Sequence, residues 1–399
     1  MRILMLTSTF SLNDAHGGLC PDLAEAIVEK GHTVDVLFLD WNAEGTVRLH
    51  RRHEDRMRIL VCPAFRGVPS FLPTMARRIL KWGFASLFAL RPARAAFGEG
   101  SYDLMIGFSP AVIYFWLARF FRKRSRRAFL ALWDFFPFSH EDNNLLPRFW
   151  PLHRALTWME RRALAFYERI GFLSPANVRY FEEKYPGFRI KQEILPLWGA
   201  PVSAPLPSRD ASRAVFDIGE KQVVCVFGGQ LIPGRSIDRL LALAEKAYAQ
   251  NGALLFLFAG SGPLLGDVLD KSKACKGIRY VGKLDRSAYM GLLAAADIGV
   301  VFTQPDVSVC PFPSKTIDYF RARLPILGAV DRHGDYASII EHTIKAGLAC
   351  AADDEDRVLG NLLRLAGDAA LRRTCGENGF AYFSENMTAG KVADQILRA

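Results

Sequence analysis

No stretch of this 399-residue chain approaches the ~20 uninterrupted apolar residues that a membrane-spanning helix needs. The longest candidate, Ala111 to Ala118, is closed by Arg119 and a run of cations. The opening Met1 to Phe10 is apolar for too few residues to be a signal peptide and reads better as a first buried strand. Cysteine is sparse, seven residues scattered with no Cys-x-x-Cys pair, which speaks against a disulfide framework and a zinc site and fits reduced thiols in the cytoplasm. Gly-x-Gly-x-x-Gly is missing after the first strand, which disfavours a dehydrogenase. No acidic metal-binding Asp-x-Asp is read in the loops, so neither a required metal ion nor a cofactor is expected.

Half of the residues are hydrophobic and 23% are charged, the balance of a globular protein with two or three domains. The net charge of +10 is unevenly placed: residues 1–200 hold 28 Lys/Arg against 19 Asp/Glu, and residues 48–127 hold 17 against 4. Two segments there, 71–97 and 114–127, set Phe, Trp and Leu beside Arg and Lys. Basic aromatic segments suit the boundary of an anionic membrane. No nucleic-acid-binding motif accompanies the charge, so that partner is not expected. The plainer alternative is helices packed on a sheet, with arginine stems lying over apolar surface.

The chain opens with a strand at Ile3–Leu6, a loop holding His16, Gly17 and Gly18, a helix from Cys20 to Lys30 and a strand at Thr33–Leu39. That is a βαβ unit of the doubly wound type. Further strands are expected at Tyr102–Phe108, Ala128–Trp133 and Arg169–Leu173. The second ends in Asp134, with His140 close behind, at the strand end where open α/β sheets bind ligands. Leu197 to Ser208 has the composition of a linker. Beyond it the pattern restarts, with strands at Val223–Phe227, Leu254–Ala259, Ile278–Val281, Asp297–Phe302 and Pro325–Val330. Loops rich in glycine follow, with Gly229, Gln230, Arg235, Gly260 and Gly282.

Between the last two strands runs Cys310-Pro-Phe-Pro-Ser-Lys-Thr-Ile-Asp318. Ser314 reads as an N-cap after Pro313. Free amides at Ser314, Lys315 and Thr316, with the Lys315 charge, would make an anion site. Asp318, one turn further in, is placed to accept hydrogen bonds from a ribose diol. An ordinary capped helix with a solvated Asp318 is the alternative.

Together these landmarks resemble the GT-B glycosyltransferases of the large retaining family 4, in particular the bacterial branch that builds polysaccharide or lipid-linked precursors. Gly17-Gly18, Gly229-Gln230 with Arg235-Ser236, Gly260-Ser-Gly-Pro263, Ala296-Asp297, and Pro313-Ser-Lys-Thr-Ile-Asp318 stand in family order. The resemblance implies two Rossmann-like domains facing across a cleft. They would be an acceptor domain at 1–203, with a helix at 377–399 crossing back, and a nucleotide-sugar domain at 204–376. It implies donor contacts from Gly17, Gly18, Gly229, Gln230, Arg235, Gly260, Gly282, Pro313, Ser314, Lys315, Thr316 and Asp318. Gln230 and Cys310 stand where the family carries Arg and Glu, and Asp318 where it carries Glu. Asp134, Arg235 and Lys315 are the candidates for catalysis, and His16, Asp134 and His140 for the acceptor side. The implied activity is transfer from a nucleotide-sugar, with UDP the expected base and GDP the alternative. The implied acceptor is polyprenyl-diphosphate-linked and membrane-anchored, met by a cytoplasmic protein peripheral on the inner face. A non-catalytic sugar-nucleotide-binding scaffold and a UDP-sugar epimerase are the competing readings.

Overall fold

The computed structural model of the chain describes residues 1–12, 17–42, 46–63, 74–142, 146, 149–202, 206–307 and 312–398. It falls into two compact units, Met1–Ala200 with Ala389–Ala399, and Pro201–Thr388. The crossing thus lies at Ala200–Pro201 and the return at Ala389, against 203–204 and 377 read from the sequence.

Parallel sheets covered on both faces need strands apolar along their whole length, and the buried runs of the sequence supply them. The first unit has β1 (Arg2–Thr7), β2 (Thr33–Asp40), β3 (Arg48–Arg52), β4 (Met57–Pro63), β5 (Tyr102–Phe108), β6 (Ser125–Leu132), β7 (Arg169–Phe172) and β8 (Lys191–Ile194). They form one sheet in the order β3-β4-β2-β1-β5-β6-β7-β8. Only β3 pairs antiparallel, to β4. The second unit has β9 (Val223–Gln230), β10 (Leu254–Ser261), β11 (Ile278–Gly282), β12 (Ile298–Phe302), β13 (Ile326–Val330) and β14 (Gly347–Ala351), in the order β11-β10-β9-β12-β13-β14. Strand order reverses between β1 and β5 in one sheet and between β9 and β12 in the other. At such switch points the loops leave the carboxyl ends of adjacent strands in opposite directions and open a crevice.

The core of the first unit is completed from the far end of the chain. The helix Ala389–Leu397 buries Ala389, Val392, Ala393 and Ile396 in one cluster with Leu23 and Ile27 of the helix Leu19–Glu29. Lys30 pairs with Asp394 at 2.8 Å. The Arg169 guanidinium donates to the carbonyls of Gln395, Ile396 and Arg398, satisfying a helix C-terminus with a cation. The single helix expected at 377–397 is two, Ala369–Tyr382 and Ala389–Leu397, separated by a π-helical turn at Phe383–Met387.

The two basic aromatic segments fall largely on helices of the first unit. Residues 74–97 form one helix, and 71–73 lie outside the described residues. The segment 114–127 is split between a helix, Phe115–Arg122, and the start of β6. Tyr114, Leu117, Ala118 and Phe121 belong to the core. Arg122 pairs with Glu168 and Arg126 lies 3.7 Å from Asp103, so part of the cationic run is neutralised within the fold. Among the described residues no helix is long and apolar enough to cross a membrane.

Candidate functional site

In the second unit the loops after β9 and β12 meet at the switch point. Gly229 (φ 130°) and Gly260 (φ 138°) let β9 and β10 end in close contact: a Cβ on Gly260 would stand 1.8 Å from the Gly229 carbonyl oxygen. Past exposed Gln230 a 3₁₀ turn, Pro233–Arg235, leads to Ser236 in the left-handed region at φ 43°. The Ser236 hydroxyl donates to the Thr303 carbonyl at 3.1 Å, and Gln304 Nε2 donates to that of Pro233 at 3.3 Å. The Asp331 amide donates to Thr303 Oγ1 at 3.0 Å. These bonds tie together the loops behind β9, β12 and β13. They hold Arg235 in place.

The helix Lys315–Arg321 follows, preceded by buried Pro313. Two expectations fail here. Ser314 is not a side-chain N-cap: its backbone is already helical (φ −63°, ψ −23°) and its hydroxyl caps nothing. The Thr316 amide is not free either, because it donates to the Pro313 carbonyl at 3.1 Å, while Thr316 Oγ1 pairs with the Tyr336 hydroxyl at 2.7 Å. What the stretch still offers to an anion is the Lys315 amine and the Ser314 and Lys315 amides.

Lys315 is the unusual group. Its Nζ is buried, has no hydrogen-bond partner, and sits 3.4 Å from the centroid of the Phe227 ring. Burial and the neighbouring Arg235 charge hold its pKa well below the ordinary lysine value. Burial also lowers that of Arg235, which has no carboxylate partner among the described residues. Charging the buried amine beside Arg235 without a counter-charge is costly in the unliganded fold. Such an arrangement is expected where an anionic ligand completes it.

Asp318 is half-buried and already paired. Arg286 grips both of its oxygens, at 2.7 and 2.9 Å, and Arg321 lies at 4.0 Å. A carboxylate offers about four lone-pair directions, so two remain for hydroxyl donors while the guanidinium fixes its orientation. Arg286 was not legible, since 32 residues separate it from Asp318 and it belongs to another helix. Gly282 ends β11 at φ 95°. Asp297, a landmark of the resemblance, stands at the start of β12 and serves structure: it accepts from the Val224 amide and pairs with Arg209 and Arg213. The chain does contain Asp354-Glu355-Asp356, but Asp354 caps a helix and Glu355 pairs with Lys246.

In the first unit Gly18 precedes the helix Leu19–Glu29, and its amide donates to Asp22, which also accepts from the Ala200 amide at 2.9 Å. Gly17 is exposed beside Asp22, and His16 lies outside the described residues, as does Cys310. Asp134 follows the carboxyl end of β6. Its amide and that of Trp133 both donate to Ser109 Oγ at 2.8 Å, an anchor the sequence did not reveal. Surrounding protein raises the Asp134 carboxyl pKa, although the residue is exposed to solvent. Its carboxylate meets no partner among the described residues. His140 is packed edge-on against Trp82 and Phe136, with ring centroids 5.0 and 5.2 Å away, and so is less free than expected for acceptor contact. Behind this end of the sheet Glu160 is buried and accepts from the Ala111 and Val112 amides at 2.9 and 2.7 Å; burial pushes its pKa up to about 7.

Residues 20–198 match the glycosyl transferase 4-like domain family, a range that stays within the first unit. No curated protein matches the chain. Among solved structures it is similar to sucrose-phosphate synthase from Thermosynechococcus elongatus, at 16% identity and a TM-score of 0.72 over 99% of this chain and 97% of that one. It is also similar to WaaG, a glycosyltransferase involved in lipopolysaccharide biosynthesis, at 16% identity and 0.67 over the whole of both chains. An α,α-trehalose-phosphate synthase (UDP-forming) from Burkholderia xenovorans, in complex with glucose-6-phosphate, matches at 14% and 0.72 over 100% and 99%. These likenesses span both units, and they identify the architecture as the α/β GT-B fold, with one Rossmann-like parallel sheet in each unit.

Proposed function

We propose that the protein is a retaining glycosyltransferase that moves a sugar from a nucleotide-sugar, preferably a UDP-sugar, to a saccharide acceptor anchored in a membrane. One observation carries the reading: the buried, unpartnered Nζ of Lys315 beside the half-buried Arg235, which has no carboxylate partner among the described residues, at the switch point of the second sheet. A pyrophosphate there would supply the missing negative charge. The Arg286-oriented Asp318, one turn along the helix, would accept the ribose hydroxyls. The glycosyl transferase 4-like match over residues 20–198 supports the same class.

In the transfer the acceptor oxygen bonds to the anomeric carbon as that carbon's bond to the diphosphate oxygen breaks. The leaving diphosphate keeps the bonding electron pair and accepts the acceptor's proton. Charge develops on the leaving oxygens, which the two cations and the Ser314 and Lys315 amides would meet; preorganised groups of this kind are worth about 3 kcal/mol each. Asp134, anchored through Ser109, would orient the acceptor hydroxyl. Leaving-group charge is assigned to Lys315 and Arg235, the two cations beside each other at this end of the second sheet. Transfer should then persist in a chelator. The membrane part rests on the basic aromatic surface of the first unit, which includes Trp150 and Trp158, 66% and 59% exposed, with Arg154 and Arg162 against their rings. It implies a peripheral protein on the cytoplasmic face and a polyprenyl-diphosphate-linked acceptor.

The test is a thermal-shift comparison of UDP, GDP and their sugars, followed by transfer to short-chain prenyl-linked acceptors. Lys315→Ala and Asp318→Ala should each lower transfer by about 10²-fold with circular dichroism unchanged. Near-normal turnover in both removes the site assignment. Binding without transfer or donor hydrolysis points to a scaffold, and UDP-sugar interconversion without acceptor points to an epimerase.

A further inference from the structure

The first unit holds a pocket of about 450 Å³ that the donor and acceptor residues do not use. The helices Thr74–Phe97 and Phe115–Arg122 form its walls, and the turn after the second helix closes it. Four cations line it, Arg94, Arg119, Lys123 and Arg124, and no acidic residue does. Phe120 is stacked between the Arg94 and Arg124 guanidiniums, at 4.4 and 3.8 Å from its centroid. Arg124 is further fixed by the Gly98 carbonyl at 3.2 Å. Arg94, Arg119 and Lys123 are exposed and meet no carboxylate among the described residues, whereas nearby Arg122 and Arg126 have Glu168 and Asp103. Three uncompensated cations are thus gathered at this one pocket.

The rest of the lining is apolar, Trp116 and Phe120 with two leucines. Beside it, Phe84, Leu87 and Phe88 stand exposed at 43%, 37% and 51%, spaced to share one helix face. Concentrated positive charge continuous with exposed apolar surface matches a molecule whose phosphate is joined to a hydrocarbon tail. A free sugar phosphate would leave the aromatic face wet.

We propose that this pocket holds the phosphate headgroup of an anionic membrane lipid, with the first acyl carbons lying along Phe84, Leu87 and Phe88. The inference deepens the membrane part of the reading above and is independent of the donor site. It also differs from a diffuse polybasic attraction, because it names three cations out of the many on this unit.

Sedimentation with phosphatidylcholine vesicles, with and without phosphatidylglycerol, tests it. The variant Arg94→Gln/Arg119→Gln/Lys123→Gln should lose affinity for the anionic vesicles by roughly 100-fold, about fivefold per cation. A control with equal charge loss, Arg48→Gln/Arg56→Gln/Arg126→Gln, should lose less than a tenth as much. Phe84→Ser/Phe88→Ser should weaken binding while leaving its salt dependence intact. Equal losses in the two arginine-bearing triples overturn the pocket in favour of diffuse charge. Displacement from vesicles by glycerol 3-phosphate, at an ionic strength where chloride does not displace, overturns the lipid in favour of a soluble phosphate ester. The UDP thermal shift should be retained in every variant, so a failed donor site and a failed lipid site give different results. Hydrogen exchange across β5 and β6 confirms that the first unit is folded.

Discussion

At the scale of single residues, Lys315 makes a claim about protons. Its folded pKa lies well below its unfolded value of about 10.4. The stability contributed by the neutral amine is full above the unfolded pKa and is lost as the pH falls through the folded one. A diphosphate beside the amine reverses the shift, so binding takes up a proton and tightens as the pH falls. Calorimetry of UDP binding in buffers of different ionisation enthalpy should show that uptake. In Lys315→Met the uptake should vanish and affinity should drop at least tenfold, about 1.4 kcal/mol, while the unliganded melting temperature does not fall. A lower melting temperature would mean that the amine has a stabilising partner. The residue itself was legible, because its position after Pro313-Ser314 is a local pattern. Phe227 beneath it and Arg286 across from Asp318 were not, since contacts between distant segments leave no local trace.

At the scale of elements, the buried strands that were read lie close to their observed bounds: Tyr102–Phe108 coincides, and the others differ by one to three positions, whereas buried β4, Met57–Pro63, was missed altogether. Continuous apolar runs give that signal. The strands β3, Arg-Leu-His-Arg-Arg, and β8, Lys-Gln-Glu-Ile, carry no such run because they are solvated edges, and β14 is too poor in β-branched residues to stand out. The Ser314 cap was misread because a good capping residue caps only when its backbone stays extended, and here it is already helical. The glycine turns were found, but what they permit needed the sheet. Gly260→Ala must place a Cβ against the Gly229 carbonyl at φ 138°. It should destabilise the second unit by about 1–3 kcal/mol and weaken UDP binding through the displaced β9 loop. Denaturant melts and UDP titrations check both, and a neutral result would show that β10 can shift away.

At the scale of the molecule, the two parallel sheets follow from the restart of the βα pattern after residue 208, which the sequence displays openly. The placement of the returning helix was less open, because no proline or glycine marks its break from the helix before it. Its packing makes Ile396, fully buried among Leu23 and Ile27, a reporter for the first unit alone. Ile396→Ala should cost about 2–5 kcal/mol. Hydrogen exchange should speed up in the helix Leu19–Glu29 and β1, with β9 and β12 unchanged. Uniform acceleration across both sheets would mean that the units melt as one. The same feature bears on biosynthesis. A ribosome makes the strands of the first sheet early, but the residues that seal its helix layer emerge only after some two hundred more have been added. The half-finished sheet thus waits with an oily seam uncovered, while the later sheet can close as soon as it is translated, inverting the usual order in which nascent domains mature.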